Sequence, residues 1–248
     1  MVRFYLRNTV LSPAMLVGIL GLWLAMLSCA QLTGDLTYAY ECTITMGITD
    51  FVIPVATVFP ICLLERQMTA GNIRDVCLVR SGRRSFSFGV LLGAVLSGMA
   101  VTLGAFALFT ASCAVFSPSP HFGRGIEGFL PGPFYAPLYT HPAALYLTMG
   151  AVFTLNGSLW PAVSLACWSI SSNQYLALAV PFVLNNGMSY FAQFFRLYCL
   201  DPGQLLLKGV CSQLPGGGIP YVLLYCAAVI LVCGLLWGRS VTRRVRHG

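Results

Sequence analysis

Six runs of predominantly apolar residues, each close to the length that crosses a bilayer, dominate this chain: 10–30, 43–64, 88–116, 142–170, 175–195 and 221–237. A helix needs about 20 such residues to span the hydrocarbon core. Inside lipid the backbone must satisfy its own hydrogen bonds, so only helices and closed barrels cross. The runs are continuously apolar and do not alternate, which argues against a barrel. The expected fold class is therefore an all-α integral membrane protein with six transmembrane helices. The composition agrees, with 57% hydrophobic and 8% charged residues, where a soluble domain carries about 25% charged residues. The polar connections are short, so residues 1–248 read as one transmembrane domain. The third and fourth runs exceed the required length and are expected to tilt, kink or extend beyond the lipid.

Charge placement sets the expected orientation. With the N-terminus inside, eleven of the fourteen basic residues fall on the cytoplasmic side, and only Arg124, Arg196 and Lys208 lie outside. Cytoplasmic loops carry the Arg and Lys excess in membrane proteins. An even number of spans then puts both termini in the cytoplasm. The net charge of +7 belongs to the flanks of apolar runs, not to one face of a soluble fold, so no nucleic-acid partner is expected. Arg3 and Arg7 precede the first run, and residues 2–11 read as an interfacial helix ahead of an uncleaved span.

Catalytic and metal patterns point elsewhere. The histidines, His121, His141 and His247, all fall in loops or the tail. The chain contains no HExxH, GxSxG or GxxxxGK[ST] motif. Ser158 sits in an apolar run with no histidine or lysine there to act as its base. Ten cysteines show no zinc spacing, and most lie inside runs as small apolar residues. Cys199 and Cys211 could bridge across the last outer loop. No catalytic residue, metal or cofactor is expected.

Polar residues within the runs carry more information. Asp50 is an acid at or inside the second run, and an intramembrane acid is a functional candidate by default. Asn156, Asn185, Asn186 and Gln193 place amides in the fourth and fifth runs. Two readings stand: hydrogen bonds between helices, or a polar lining for a translocation path. Pro54, Pro60, Pro161 and Pro181 are positioned to kink their helices.

Between the second and third runs lies a basic island, residues 65–86, with Arg66, Arg74, Arg80, Arg83 and Arg84. Asn72 suits an N-cap, Asp75 follows three residues on, and Gly82 is placed to stop the helix. A short amphipathic helix over 72–82 is expected, with Ile73, Val76, Cys77 and Arg80 on one face. Two readings remain: an interfacial helix resting in membrane lipid with arginines on anionic headgroups, or a docking helix whose apolar face fills a groove of a cytoplasmic partner.

The order of elements resembles the membrane subunit of an ABC transporter of the type-2 export permease class, over nearly the whole chain. The resemblance rests on an N-terminal interfacial helix before six spans. It continues with Phe59-Pro60-Ile61-Cys62-Leu63-Leu64-Glu65, Gly71, Arg74, Val76 through Arg80, and Gly82-Arg83-Arg84. Residues 199–215, with Asp201-Pro202-Gly203, resemble the family's re-entrant hairpin. A long outer loop, 117–141, departs from the pattern. The resemblance implies that Glu65, Ile73, Arg74, Val76, Cys77, Arg80, Arg83 and Arg84 form the contact with an ABC ATPase supplied in trans. It also implies a second permease subunit, either a copy of this chain or a paralogue, and a multi-pass location in a bacterial plasma membrane. Asp50, Asn156, Asn185, Asn186 and Gln193 would line the path of an exported substrate. The alternative is a non-transport membrane protein, either an embedded enzyme or an anchor for a cytoplasmic partner.

Overall fold

Helix α1, Pro13–Cys29, starts where Ser12 caps it: Ser12 Oγ accepts the Met15 N–H at 3.3 Å, and Pro13 occupies the first turn without wasting a donor. In this computed structural model the chain continues as α2 (Leu36–Thr45), α3 (Ile48–Ala70), α4 (Ile73–Ser81) and α5 (Arg83–Phe116). It then forms α6 (Pro142–Ser171), α7 (Gln174–Phe194), a 3-10 turn at Tyr198–Leu200 and α8 (Ile219–His247). The structure describes residues 8, 12–45, 48–70, 73–123, 125, 140–171, 173–203 and 219–247. The expected interfacial helix over 2–11, most of the 117–141 loop and most of the 199–215 hairpin, with Cys211, lie outside the described residues.

Contacts fix the direction of each long helix. Trp23 Nε1 of α1 donates to Ser112 Oγ of α5 at 3.0 Å, and Gly18 lies opposite Val101, so these two run parallel. Helices α5 and α6 run antiparallel along Gly98–Gly157, Thr102–Thr154, Phe106–Gly150 and Thr110–Tyr146. Asp50 and Phe51 of α3 meet Asn185 and Phe182 of α7, again antiparallel. Cys233 packs with Val163 and Ala166, while Ser240 Oγ donates to the Ser169 carbonyl at 2.9 Å, so α8 runs with α6. The six long helices therefore alternate in direction, an up-and-down bundle.

One end of this bundle gathers α4 with Arg66, Arg80, Arg83, Arg84 and Arg239. The opposite end gathers α2 and the chain around 117–125, with Asp35, Glu41, Asp50 and Asp201. These are called below the arginine end and the acidic end.

Among the described residues, three stretches are long and apolar enough to cross a membrane: Ile48–Thr69, Arg83–Phe116 and Pro220–Thr242, with α1 a shorter apolar helix. Helices α6 and α7 have the length, at 30 and 21 residues. Asn156 in α6 and Asn185 and Asn186 in α7 dilute their apolar character. Most of α6 is buried among its neighbours, and a helix shielded from lipid tolerates such groups.

The apolar run over 43–64 divides. Its first residues belong to α2, and α3 starts at Ile48 and continues past Glu65 to Ala70. Helix α2 is a separate element, with Leu36, Thr37, Ala39, Tyr40, Glu41, Cys42, Thr43 and Ile44 buried. Tyr40 carries it into the core. Its ring meets Phe106, Phe109, Tyr146 and Phe153 edge-on, at centroid distances of 5.4, 6.5, 6.2 and 6.0 Å. The last helix, α8, runs about ten residues beyond the end of its apolar run.

Candidate functional site

Asp35 organises the acidic end. Its Oδ1 accepts the N–H groups of Thr37 at 2.8 Å and Tyr38 at 3.2 Å, which caps α2. The same carboxylate accepts Gly123 N–H at 3.0 Å and Gly125 N–H at 3.3 Å from a segment some 90 residues on. Backbone bonds seal this junction: His121 N–H to the Gly34 carbonyl at 2.9 Å, and Leu36 N–H to the His121 carbonyl at 3.0 Å. Gly125, with φ +80, leaves room for the buried Glu41 carboxylate, which a Cβ there would strike. The acidic end is thus covered by α2 and the segment at 117–123 and Gly125, fastened to each other through the Asp35 carboxylate and two backbone bonds.

Beside this cover lies a second polar cluster. Asn185 Nδ2 of α7 donates to Asp50 Oδ1 and to the Asp50 backbone carbonyl, each at 3.1 Å. That carbonyl is the one that Pro54, four residues on, leaves without a helical donor. Ser189 Oγ, one turn along α7, donates to Asp201 Oδ1 at 2.8 Å, and the Gly203 N–H donates to the same oxygen at 2.9 Å. Gly203 sits between the two acids: a Cβ there would lie 3.0 Å from Asp50 Oδ2 and 3.3 Å from Asp201 Oδ1. Asp201 is buried and Asp50 half-buried. Two carboxylates, an amide and a hydroxyl therefore converge between the start of α3, the second half of α7 and the turn that follows.

The other amides go elsewhere. Asn156 is buried and accepts Trp160 Nε1–H at 2.8 Å, one turn along its own helix. Asn186 donates to the Phe182 carbonyl at 2.8 Å. Gln193 is exposed near the end of α7. Asp50 and Asn185 are the pair brought together, and Ser189, Asp201 and Gly203 join them. Ser158, the serine weighed as a nucleophile, donates to the Leu155 carbonyl at 2.6 Å.

At the arginine end, Glu65 is buried inside α3, one turn before Thr69, whose Oγ1 donates to the Glu65 carbonyl at 2.8 Å. Helix α4 hangs between α3 and α5. Gly82, at φ +74, ends it while its N–H donates to the Leu78 carbonyl at 3.1 Å, and α5 begins at the next residue. Cys77 and Leu78 turn toward the core, whereas Val76 is 51% and Val79 is 81% exposed, with Arg80 exposed beside them. The outward face of α4 is therefore Val76, Val79 and Arg80. Cys77 does not share it, and Val79 replaces it. The side chains of Ile73 and Arg74 lie outside the described residues. Arg83 and Arg84 line a groove between α5 and α8.

These elements define an all-helical protein with helices able to cross a membrane. No family model, curated protein or solved structure matches the chain.

Proposed function

We propose that this chain is the membrane-spanning permease subunit of an ABC exporter. Helices α1, α3, α5, α6, α7 and α8 are its six spans, and both termini lie in the cytoplasm with the arginine end. The ATPase is a separate chain, and a second permease subunit completes the path. The observation that carries this reading is α4. A nine-residue helix between two long helices holds Val76 and Val79 out from the bundle with Arg80 beside them. Exposed valines over a fixed base suit a helix seated in a partner's groove. Arg excess at the same end supports the orientation. The alternation of the six long helices supports six crossings, with the buried amides Asn156 of α6 and Asn185 of α7 turned to protein partners rather than lipid.

On this reading α4 transmits ATPase closure to α3 and α5, which it joins directly. The cluster of Asp50, Asn185, Ser189 and Asp201 lies at the far end, under the cover that α2 and the 117–125 segment form. Motion of α3 against α7 would open or close that cluster.

The test is a search of the genes beside this chain's for an ABC ATPase and co-expression with it, comparing wild type with Val79→Asp and Arg80→Glu. Both variants are expected to fold normally, because they change exposed residues, and to lose ATPase co-purification and stimulated ATP hydrolysis. Full assembly and hydrolysis in both variants would refute the coupling role. If they also bind anionic vesicles less tightly, α4 is an interfacial helix.

A further inference from the structure

Between the start of α5 and the second half of α8 the surface opens into a groove of about 950 Å³. Its floor is where the helices touch. A Cβ on Gly234 would meet Leu91 Cδ2 at 2.6 Å, and one on Gly238 would lie 3.4 Å from Ser87 Oγ. Small residues on α8 thus let Leu91 and Ser87 of α5 seat close against its backbone. Its walls are Phe88, Leu231 and Leu235, at 64%, 64% and 56% exposure. At the arginine end the mouth carries Arg83, Arg84 and Arg239, all exposed. Among the described residues lining the groove none is acidic, and no described residue holds any of the three arginines in an ion pair.

We propose that this groove is a binding site for an anionic phospholipid of the leaflet at the arginine end. The headgroup phosphate is held by Arg83, Arg84 and Arg239, and an acyl chain lies along Phe88, Leu91 and Leu231. Three features on the molecule select a lipid. The first is charge: three guanidinium groups converge on one mouth, and guanidinium pairs with phosphate through two parallel N–H bonds. The second is depth. From Thr242 to Ala227 α8 rises about 22 Å, and from Arg83 to Leu91 α5 rises about 12 Å. One leaflet contributes about 15 Å of hydrocarbon, so the groove matches a headgroup plus one leaflet. The third is exposure. Only 22% of the apolar stretch Pro220–Thr242 is buried within the bundle, so the groove opens sideways onto lipid. Basic pockets between helices at the cytoplasmic face are suited to anionic headgroups. The proposal needs a membrane but no ATPase, so it stands or falls separately from the coupling role of α4.

The experiment is native mass spectrometry of the full chain, delipidated in detergent and titrated with phosphatidylglycerol, phosphatidylcholine or inorganic phosphate. Wild type is expected to bind phosphatidylglycerol in preference to phosphatidylcholine. Replacing all three arginines by glutamine (R83Q, R84Q, R239Q) is expected to weaken phosphatidylglycerol binding on the order of a hundredfold, at the strength of three interfacial arginines. The matching lysine triple variant keeps the charge, so it should keep most of the preference. This arm holds even if the glutamine variant folds poorly. Ala227→Trp fills the deep end with the arginines intact and should weaken both lipids. Equal binding of the two lipids by wild type, or unchanged phosphatidylglycerol binding in the glutamine variant, overturns the proposal. Inorganic phosphate binding as tightly as the lipid, untouched by Ala227→Trp, would make this an anion site without a chain and overturn it too. A lipid-independent dimer lost in Ala227→Trp would assign the groove to a second copy instead.

Discussion

Asn185 performs two tasks with one amide, and this makes its loss measurable. It donates to the Asp50 carboxylate and to the carbonyl that Pro54 strips of its helical partner. An amide that satisfies partly buried acceptors costs up to roughly 1–3 kcal/mol to remove, because the acceptors lose a donor and regain water only in part. Asn185→Leu is therefore expected to destabilise the folded chain by about that amount, measured by denaturant unfolding in micelles. Pro54→Ala restores an N–H four residues after Asp50, so the backbone carbonyl regains a partner. In that background Asn185→Leu should cost less, with a coupling of at least about 0.5 kcal/mol. Simple additivity of the two substitutions would remove the link between the proline and the amide. Asp35 makes a parallel case across a larger span. Asp35→Ala strips the α2 cap and both bonds to Gly123 and Gly125. A lost cap alone costs about 0.5–2 kcal/mol. Faster hydrogen exchange is expected at Leu36 and His121 together, since their backbone bonds form one junction. Faster exchange in α2 alone would mean that Asp35 is a cap and not a fastener.

At the scale of elements, prolines and small residues act as partners across helices. Pro60 frees the Ala56 carbonyl, which lies 2.6 Å from where a Gly18 Cβ would stand. Pro161 frees the Gly157 carbonyl, which occupies the place of a Gly98 Cβ. With Pro54 and Asn185, three interior prolines each turn a freed carbonyl toward a small or polar residue of the next helix. In lipid such close approach, with weak Cα–H donors, holds helices together where no hydrophobic drive exists. Gly98→Ala is expected to destabilise by about 1–3 kcal/mol through overpacking. Gly187→Ala, with nothing within 4 Å of its added methyl, should be neutral or stabilise by up to about 1 kcal/mol. A common unfolding midpoint for both variants would deny the close crossing of α5 and α6. Some of this was legible beforehand. The long helices follow from apolar runs, and Gly82 from its place as the stop of the short helix. The Asn156–Trp160 bond was not read: the amide was expected to bond between helices or to line a path, and it bonds within its own helix. Helix α2 was not legible, because Leu36–Thr45 mixes Thr, Tyr and Glu, and what buries it, the ring contacts of Tyr40 and the bonds of Asp35, comes from residues far along the chain. The partner of Asp50 lies 135 residues away, and nothing local to either residue announces it. Val79 was missed on α4, where the apolar face was read from spacing alone; packing of Leu78 against the core set the real orientation.

For the whole molecule, the separation of charge is the property that decides how the bundle sits in a membrane. Arginines 66, 80, 83, 84 and 239 share one end, while Asp35, Glu41, Asp50 and Asp201 share the other. Alternating helix directions make this a consequence of chain order: every second connection returns to the arginine end. If six helices cross, the two ends must face different compartments, and the positive-inside bias assigns the arginine end to the cytoplasm. Pro120 and Ser85 are both exposed, the first beside the cover of the acidic end and the second at the start of α5. Pro120→Cys is expected to react with a membrane-impermeant maleimide in intact cells, and Ser85→Cys only after lysis, in a chain with Cys211 and the half-buried Cys77 and Cys199 changed to serine. The described cysteines that remain are buried, apart from the half-buried Cys167. Because α5 alone separates positions 85 and 120, their labelling must be opposite whichever way the bundle points. Reversed labelling would turn the molecule over and remove α4 from any cytoplasmic ATPase, while leaving the fold intact. Equal labelling would mean that α5 does not cross, and the six-span reading would fail with it.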